Sequence, residues 1–215
     1  MEGEKGLENK NVRMIGGLPL DLKTVVSGGG ETQVEGVSGA SYSVRVSPTS
    51  LRIDGPTGDE FFYADIHERR DGRYINFSIR TKALLQSEYN TDLYAGRLAD
   101  EAIRYFSEAG GLRGIEFDWY PYAKDQKYYL QSKEEIKARL LAGGETEGAA
   151  ETEAAKQAAL TTWTAKRIAV PHGFTGVKVW EGLELIDPAY PAEVVVRGYF
   201  YKPGQGEDKT QGDSV

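Results

Sequence analysis

Residues 60–80 read EFFYADIHERRDGRYINFSIR and residues 90–120 read NTDLYAGRLADEAIRYFSEAGGLRGIEFDWY; together they decide the fold. In the first stretch Asp71-Gly72 separates two alternating runs. A dipeptide of this kind accepts the positive φ of a tight turn whose twist matches its flanking strands, so residues 60–69 and 73–80 are predicted to form a hairpin. In the second of these strands Ile75, Phe77 and Ile79 share one face, while Tyr74, Asn76, Ser78 and Arg80 share the other, so one side should meet a core. In the second stretch Asn90-Thr91-Asp92 offers N-cap oxygens. Leu93, Tyr94, Leu98, Ala102, Ile103, Tyr105 and Phe106 then recur at helical spacing until Gly110-Gly111 ends the run. Residues 112–120 return to alternation, with Ile115, Phe117 and Trp119 on one face and Glu116 and Asp118 on the other. Strand, helix and strand in that order predict a parallel crossover.

Outward from this centre, Tyr42, Val44 and Val46 alternate with polar neighbours, and Leu51 and Ile53 follow after Pro48, giving one strand or a kinked pair. Toward the C-terminus Ser132-Lys133-Glu134-Glu135 matches a capping box and predicts a short helix through Leu141. The run from Gly143 to Gly148 reads as a mobile break, and an Ala-rich helix is predicted over 152–169, closed by Pro171 and Gly173. Two strands, 177–180 and 193–201, complete the pattern. Residues 1–40, rich in Gly and carrying one apolar patch over 18–26, read as an arm or linker, or as a fusion junction. Residues 41–203 form a single α+β domain and 204–215 a disordered tail. The expected fold is a central mixed, mostly antiparallel sheet with a parallel strand-helix-strand crossover and helices packed on it.

The 215 residues suffice for a core without staples, and 13 Tyr, 7 Phe and 3 Trp supply bulk for it. With 26 Lys and Arg against 33 Asp and Glu, the net charge of −7 repels a polyphosphate backbone, so nucleic acid is not an expected partner. The absence of Cys excludes disulfides, thiolate catalysis and Cys-ligated zinc. No apolar stretch is long enough to cross a bilayer, and the first residues carry no signal-peptide core. The expected location is the cytoplasm, or export within a larger polypeptide that supplies the signal.

Glu116 and Asp118 are candidate catalytic groups, because carboxylates side by side on a strand favour sharing a proton and one can then act as a base. The same pair also serves solubility on an exposed face. His67, on a hairpin strand, is the side chain suited to proton transfer near neutral pH, or a cross-strand surface residue. His172 between Pro171 and Gly173 fits a helix cap or a ligand. Two His without Cys leave no expected metal site. Trp119-Tyr120-Pro121-Tyr122 and Tyr128-Tyr129 line a pocket or partner surface, or edge the core. Arg69, Arg70 and Arg73 make a solvated tip or an anion site.

Three antiparallel strands, a long helix, a strand, helical material and two closing strands form an order that resembles the GNAT superfamily of acyl-CoA-dependent N-acyltransferases. Tyr94-Ala95-Gly96-Arg97-Leu98 with Glu101-Ala102-Ile103, and His172-Gly173-Phe174, look like two landmarks of that family. The resemblance implies acyl transfer from acetyl-CoA or another acyl-CoA to an amine. It also implies a cofactor site at Ile79, Thr81, Tyr94, Gly96 and Arg97, and an acceptor cleft beside residues 112–120. Gly96 is the one glycine in the phosphate-binding turn, Asp92 stands nearby, and the position of the family's Tyr acid falls near Ala169. The stretch 158–179 is similar to C-terminal modules of bacterial polymorphic toxins, which implies an effector or interaction module held by a partner or immunity protein.

Overall fold

The computed structural model describes residues 14–15, 18–19, 22–35, 39–58, 60–79, 95–121, 123–186 and 192–204. Its elements, in order, are β1 (Met14–Ile15), β2 (Leu18–Pro19), α1 (Leu22–Ser27), β3 (Glu31–Glu35), β4 (Ser41–Val46), β5 (Ser50–Asp54), β6 (Glu60–Arg69), β7 (Gly72–Ile79), α2 (Ala95–Gly110), β8 (Gly114–Trp119), α3 (Lys124–Ala142), α4 (Glu147–Thr161), β9 (Gly176–Glu184) and β10 (Glu193–Tyr201). The fold is α+β. An eight-stranded, mostly antiparallel sheet runs β3-β4-β5-β6-β7-β8-β10-β9. The chain divides into two compact units, residues 1–65 with 78–109 and residues 66–77 with 110–215.

In the first unit, an antiparallel meander sets Val34 opposite Tyr42, Val44 opposite Ile53, Ile53 opposite Phe62, and Leu51 opposite Ala64. Residues directly opposite project to the same side of a sheet, so these side chains make one continuous apolar face, and all are buried. The segment 41–54 is thus two strands. They turn at Ser47-Pro48-Thr49, where the Ser47 hydroxyl oxygen accepts from the Ser50 amide at 2.9 Å. The Gly-rich stretch expected to be an arm contributes strand β3 to the sheet edge, because Val34 finds a place on the buried face. Helix α2 buries Leu98, Ala99, Ala102, Ile103 and Phe106 along one stripe, as its spacing requires. The expected cap at Asn90-Thr91-Asp92 and the loop 81–89 lie outside the described residues.

The second unit holds the tip of the hairpin, with Gly72 at φ 136° in the turn. Strand β8 runs parallel to β7, in the register Tyr74 to Gly114, Ile75 to Ile115 and Asn76 to Glu116, as the crossover reading predicts. Strand β10 pairs antiparallel with β8 on one side and β9 on the other. Its core is aromatic: Phe117 lies 5.9 Å from Phe77 and 5.7 Å from Phe200, and Trp119 lies 5.6 Å from Tyr129, centroid to centroid. A side chain at Gly198 would meet the rings of Phe200 and Trp119 at 2.9 and 3.0 Å, so its absence makes room for this packing.

The helices of this unit depart from their expected limits. Helix α3 is 19 residues long and begins at Lys124, so the Ser132 capping-box pattern lies in its interior. The reason is tertiary. Gln126 donates to the Val194 carbonyl at 2.6 Å, Tyr129 donates its hydroxyl to Glu181, and Lys133 reaches Glu181 Oε1 at 2.8 Å, which fixes three successive turns. The expected mobile break is an ordered turn at Gly143-Gly144, after which Thr146 caps α4 by accepting from the Ala149 amide. Lys133 and Lys137 tie the two helices through Glu151 and Glu147. The second helix ends at Thr161 instead of 169, and a π-helical turn (Ala165–Ala169) and a 3-10 turn (Val170–His172) follow it. Gly173, at φ 81°, closes the segment.

Candidate functional site

The sheet face of the second unit opposite its aromatic core is polar, and the strand registers say why. Glu116 stands opposite Asn76 on β7 and Tyr199 on β10, Asp118 stands opposite Arg197, and Arg197 stands opposite Trp180 on β9. From β6, His67 and Arg69 reach this face two residues apart, as alternation requires.

Glu116 is the centre. Its side chain is only 3% exposed, whereas those of His67 and Arg69 are 40% and 39% exposed. Arg69 Nη2 donates to both of its oxygens, at 2.9 and 2.7 Å, His67 Nδ1 lies 3.2 Å from Oε2, and Arg197 Nε lies 3.4 Å from Oε1. Arg197 is itself held by Asp118 and, at 3.3 Å, by Glu184. Aromatic rings support both guanidinium groups. Arg69 lies 4.9 Å from the Tyr199 centroid and Arg197 lies 5.4 Å from that of Trp180, within the range of cation–π attraction.

Charge in the cluster is fixed by these partners. Burial weakens the hold of Arg69 on its proton, but the hydrogen bond and charge of Glu116 outweigh it and the pKa rises. The hydrogen bond to Asp118 raises Arg197, against the opposing effect of burial. Burial raises the Tyr199 phenol, with Glu116 adding to the rise, and raises Tyr120, with Asp118 and Glu184 adding. Both tyrosines therefore stay protonated and both arginines charged.

All three expected catalytic residues, His67, Glu116 and Asp118, meet here. Their arrangement differs from two carboxylates sharing a proton on a solvated face: Glu116 is buried, and each carboxylate has an arginine partner. What the geometry creates is a His-carboxylate pair. When a carboxylate accepts from Nδ1–H, the lone pair of the imidazole sits on Nε2 and the ring is held in one orientation, the arrangement in which a histidine serves as an oriented base. From the sequence Arg69 reads as part of a solvated tip or an anion site, and Arg197, Tyr199 and Trp180 do not stand out. The signal for Arg197 was a lone cation in the apolar, β-branched run of residues 193–201.

The other candidates are dispersed. Trp119 and Tyr129 belong to the core, Tyr120 and Tyr128 are about half exposed, and Tyr122 lies outside the described residues. Arg73 pairs with Glu68 at 2.9 Å, and Arg70 is exposed in the turn. His172 ends the 3-10 turn before Gly173, which fits its reading as part of a helix end. Of the residues expected to hold acyl-CoA, Ile79 ends β7, and Gly96 and Arg97 open α2, whose first turn carries no acidic residue. The side chains of Ile79 and Arg97, and all of Thr81 and Tyr94, lie outside the described residues. Among the described residues no group of three or more His, Asp or Glu is placed to hold a metal, and no helix is long and apolar enough to cross a membrane. Comparison of the chain with protein-family models, curated proteins and solved structures finds no match.

Proposed function

We propose that His67 is a general base oriented by Glu116, and that it serves acyl transfer from an acyl-CoA to an amine acceptor. The observation that carries this reading is the contact of a part-exposed imidazole with a buried carboxylate that Arg69 also holds. The parallel register of β7 and β8 supports the acyltransferase assignment, since that resemblance rests on a strand-helix-strand crossover at this point. In the proposed step the acceptor nitrogen attacks the thioester carbonyl and its proton passes to Nε2 of His67. The C–S bond then breaks, and the leaving thiolate of CoA takes up a proton. Asp118 holds Arg197 in place and takes no proton in this scheme.

Thermal-shift titration with acetyl-CoA and CoA tests ligand binding, and CoA-thiol release in the presence of amines tests turnover. His67→Asn should lower the rate by about 100-fold or more while leaving the acyl-CoA shift in place, which is the scale of losing a positioned base. No shift at millimolar acyl-CoA would remove the acyl donor from the account. Equal rates in His67→Asn and the parent would remove the base.

A second reading, binding of a partner protein, is favoured by the half-exposed aromatics Tyr120, Tyr128 and Trp163. Growth inhibition on expression in bacteria, relieved by mutating Glu116, would instead support a toxin-like effector. Harmless accumulation would count against one.

A further inference from the structure

Strand β9 lies at the end of the sheet and, among the described strands, pairs with β10 alone. Proteins blunt such edges with short strands, prolines, bulges or charges, because unpaired backbone groups recruit another strand. The opposite edge strand, β3, follows this rule, being five residues long with Glu31 and Glu35 at its ends. Strand β9 does not. It runs nine residues in unbroken register with β10, contains no proline, and exposes Trp180 at 42% and Leu183 at 71%, with Leu185 exposed just beyond its end.

We infer that β9 pairs antiparallel with β9 of a second copy of this chain, about a two-fold axis at Glu181. A two-fold axis perpendicular to a sheet sets each residue opposite the one equally far on the other side of the axis, and keeps like faces together. With the axis at Glu181, Lys178 of each copy faces Glu184 of the other, Val179 faces Leu183, Val177 faces Leu185, and Trp180 faces Gly182. Every off-axis pair from 177 to 185 is then opposite in charge, apolar with apolar, or large with small. Moving the axis one residue to Trp180 sets the two Trp180 side chains against each other and Lys178 opposite Gly182. Moving it to Gly182 sets Trp180 opposite Glu184 and Lys178 opposite Ile186. Neither pairs Lys178 with an acid. On the axis itself Glu181 meets its own copy, but each Glu181 is already held by Lys133 at 2.8 and 3.0 Å on the face covered by α3. The charge that would guard this edge against indiscriminate pairing thus selects one register and one partner.

Sedimentation equilibrium on the full chain tests this by charge exchange. The parent protein should dimerise. Lys178→Glu and Glu184→Lys should each weaken the dimer about tenfold, because each turns two attractive cross-strand pairs repulsive. An equimolar mixture of the two variants should recover parent-like affinity as a heterodimer, since both charge pairs are then attractive again. This recovery also shows that the variants are folded. A parent chain that stays monomeric overturns the inference, as does a mixture no tighter than either variant alone. Hydrogen-exchange protection that persists in the monomer on dilution at those β9 amides that point away from β10 also overturns it, since the edge would then be covered by the chain itself.

Discussion

Replacing Glu116 with Gln removes one negative charge from a buried position while nearly keeping the volume. Breaking a fully buried ion pair is worth about 3–5 kcal/mol, but that figure presumes a partner stranded away from water. Here the Arg69 side chain is 39% exposed, and part of its lost partner is replaced by solvent. One of the two Arg69 hydrogen bonds survives, because the amide keeps one carbonyl oxygen. The lost bond to a charged donor, about 1.5–3 kcal/mol before screening, falls to about 1–1.5 kcal/mol after it. The weaker attraction to Arg197 at 3.4 Å adds about 0.5 kcal/mol. A loss near 2 kcal/mol should lower the melting temperature by about 4–8 °C for a chain of this size.

Thermal melts by circular dichroism, backed by urea unfolding, measure the effect, and the decisive experiment is a cycle with Arg69→Met. In the Arg69→Met background the carboxylate has lost its main counter-charge, so Glu116→Gln should become nearly neutral or stabilising, giving a coupling of about 1–2 kcal/mol. Strict additivity, or a Glu116→Gln melt within about 1 °C of the parent, would refute the claim that this pair organises the polar face.

The limits of α3 and the charges of the first unit give two further tests. Glu134→Pro would sit harmlessly in the first turn of a helix starting near Lys133, but inside the continuous α3 it should destabilise by about 3 kcal/mol or more, read from urea midpoints. Asp54 is 7% exposed, and although burial raises its pKa, hydrogen bonds from Arg45 and Arg52 outweigh this and hold it below the ordinary 3.8. Because the folded pKa is the lower one, the stabilisation is complete above pH 3.8 and is lost as pH falls through the depressed value. Melting temperatures between pH 6 and 2 should therefore fall less steeply for Asp54→Asn than for the parent, and equal slopes would contradict the assignment.

Where a fold decision is written in neighbouring residues, the sequence was enough to read it. Asp71-Gly72 marked the hairpin, and Gly110-Gly111 marked the return from α2 to β8, because backbone conformations open chiefly to glycine punctuate the chain locally. The start of α3 was hidden for the opposite reason. Its N-cap, Ala123, makes no side-chain cap, and the first turns are held by Val194 and Glu181, nearly 70 and about 50 residues away. Ser132-Lys133-Glu134-Glu135 looked like a helix start because Ser followed three residues on by Glu is the usual form of one. Lys133 stands there to meet Glu181 and Glu151. Strand β3 escaped notice because an edge strand with one buried residue, Val34, shows too little alternation to register.

The site follows the same division. Period two puts Glu116 and Asp118 on one face, and composition marks His67, but nothing local says that β6 stands two strands from β8 with β7 between. That arrangement makes the cluster possible. Strands are about 4.8 Å apart, so side chains on β6 and β8 must lean toward each other across about 9.6 Å to touch. Arg69 has the length for this, passing beside Tyr74 at 6.0 Å, and once its guanidinium neutralises Glu116 the carboxylate can remain buried and hold the shorter His67 in place. The order of dependence is therefore topology first, then the arginine, then the histidine. A buried acid on a central strand, with an arginine two residues from a histidine on the next strand but one, is a pattern recognisable only after the strand order is known.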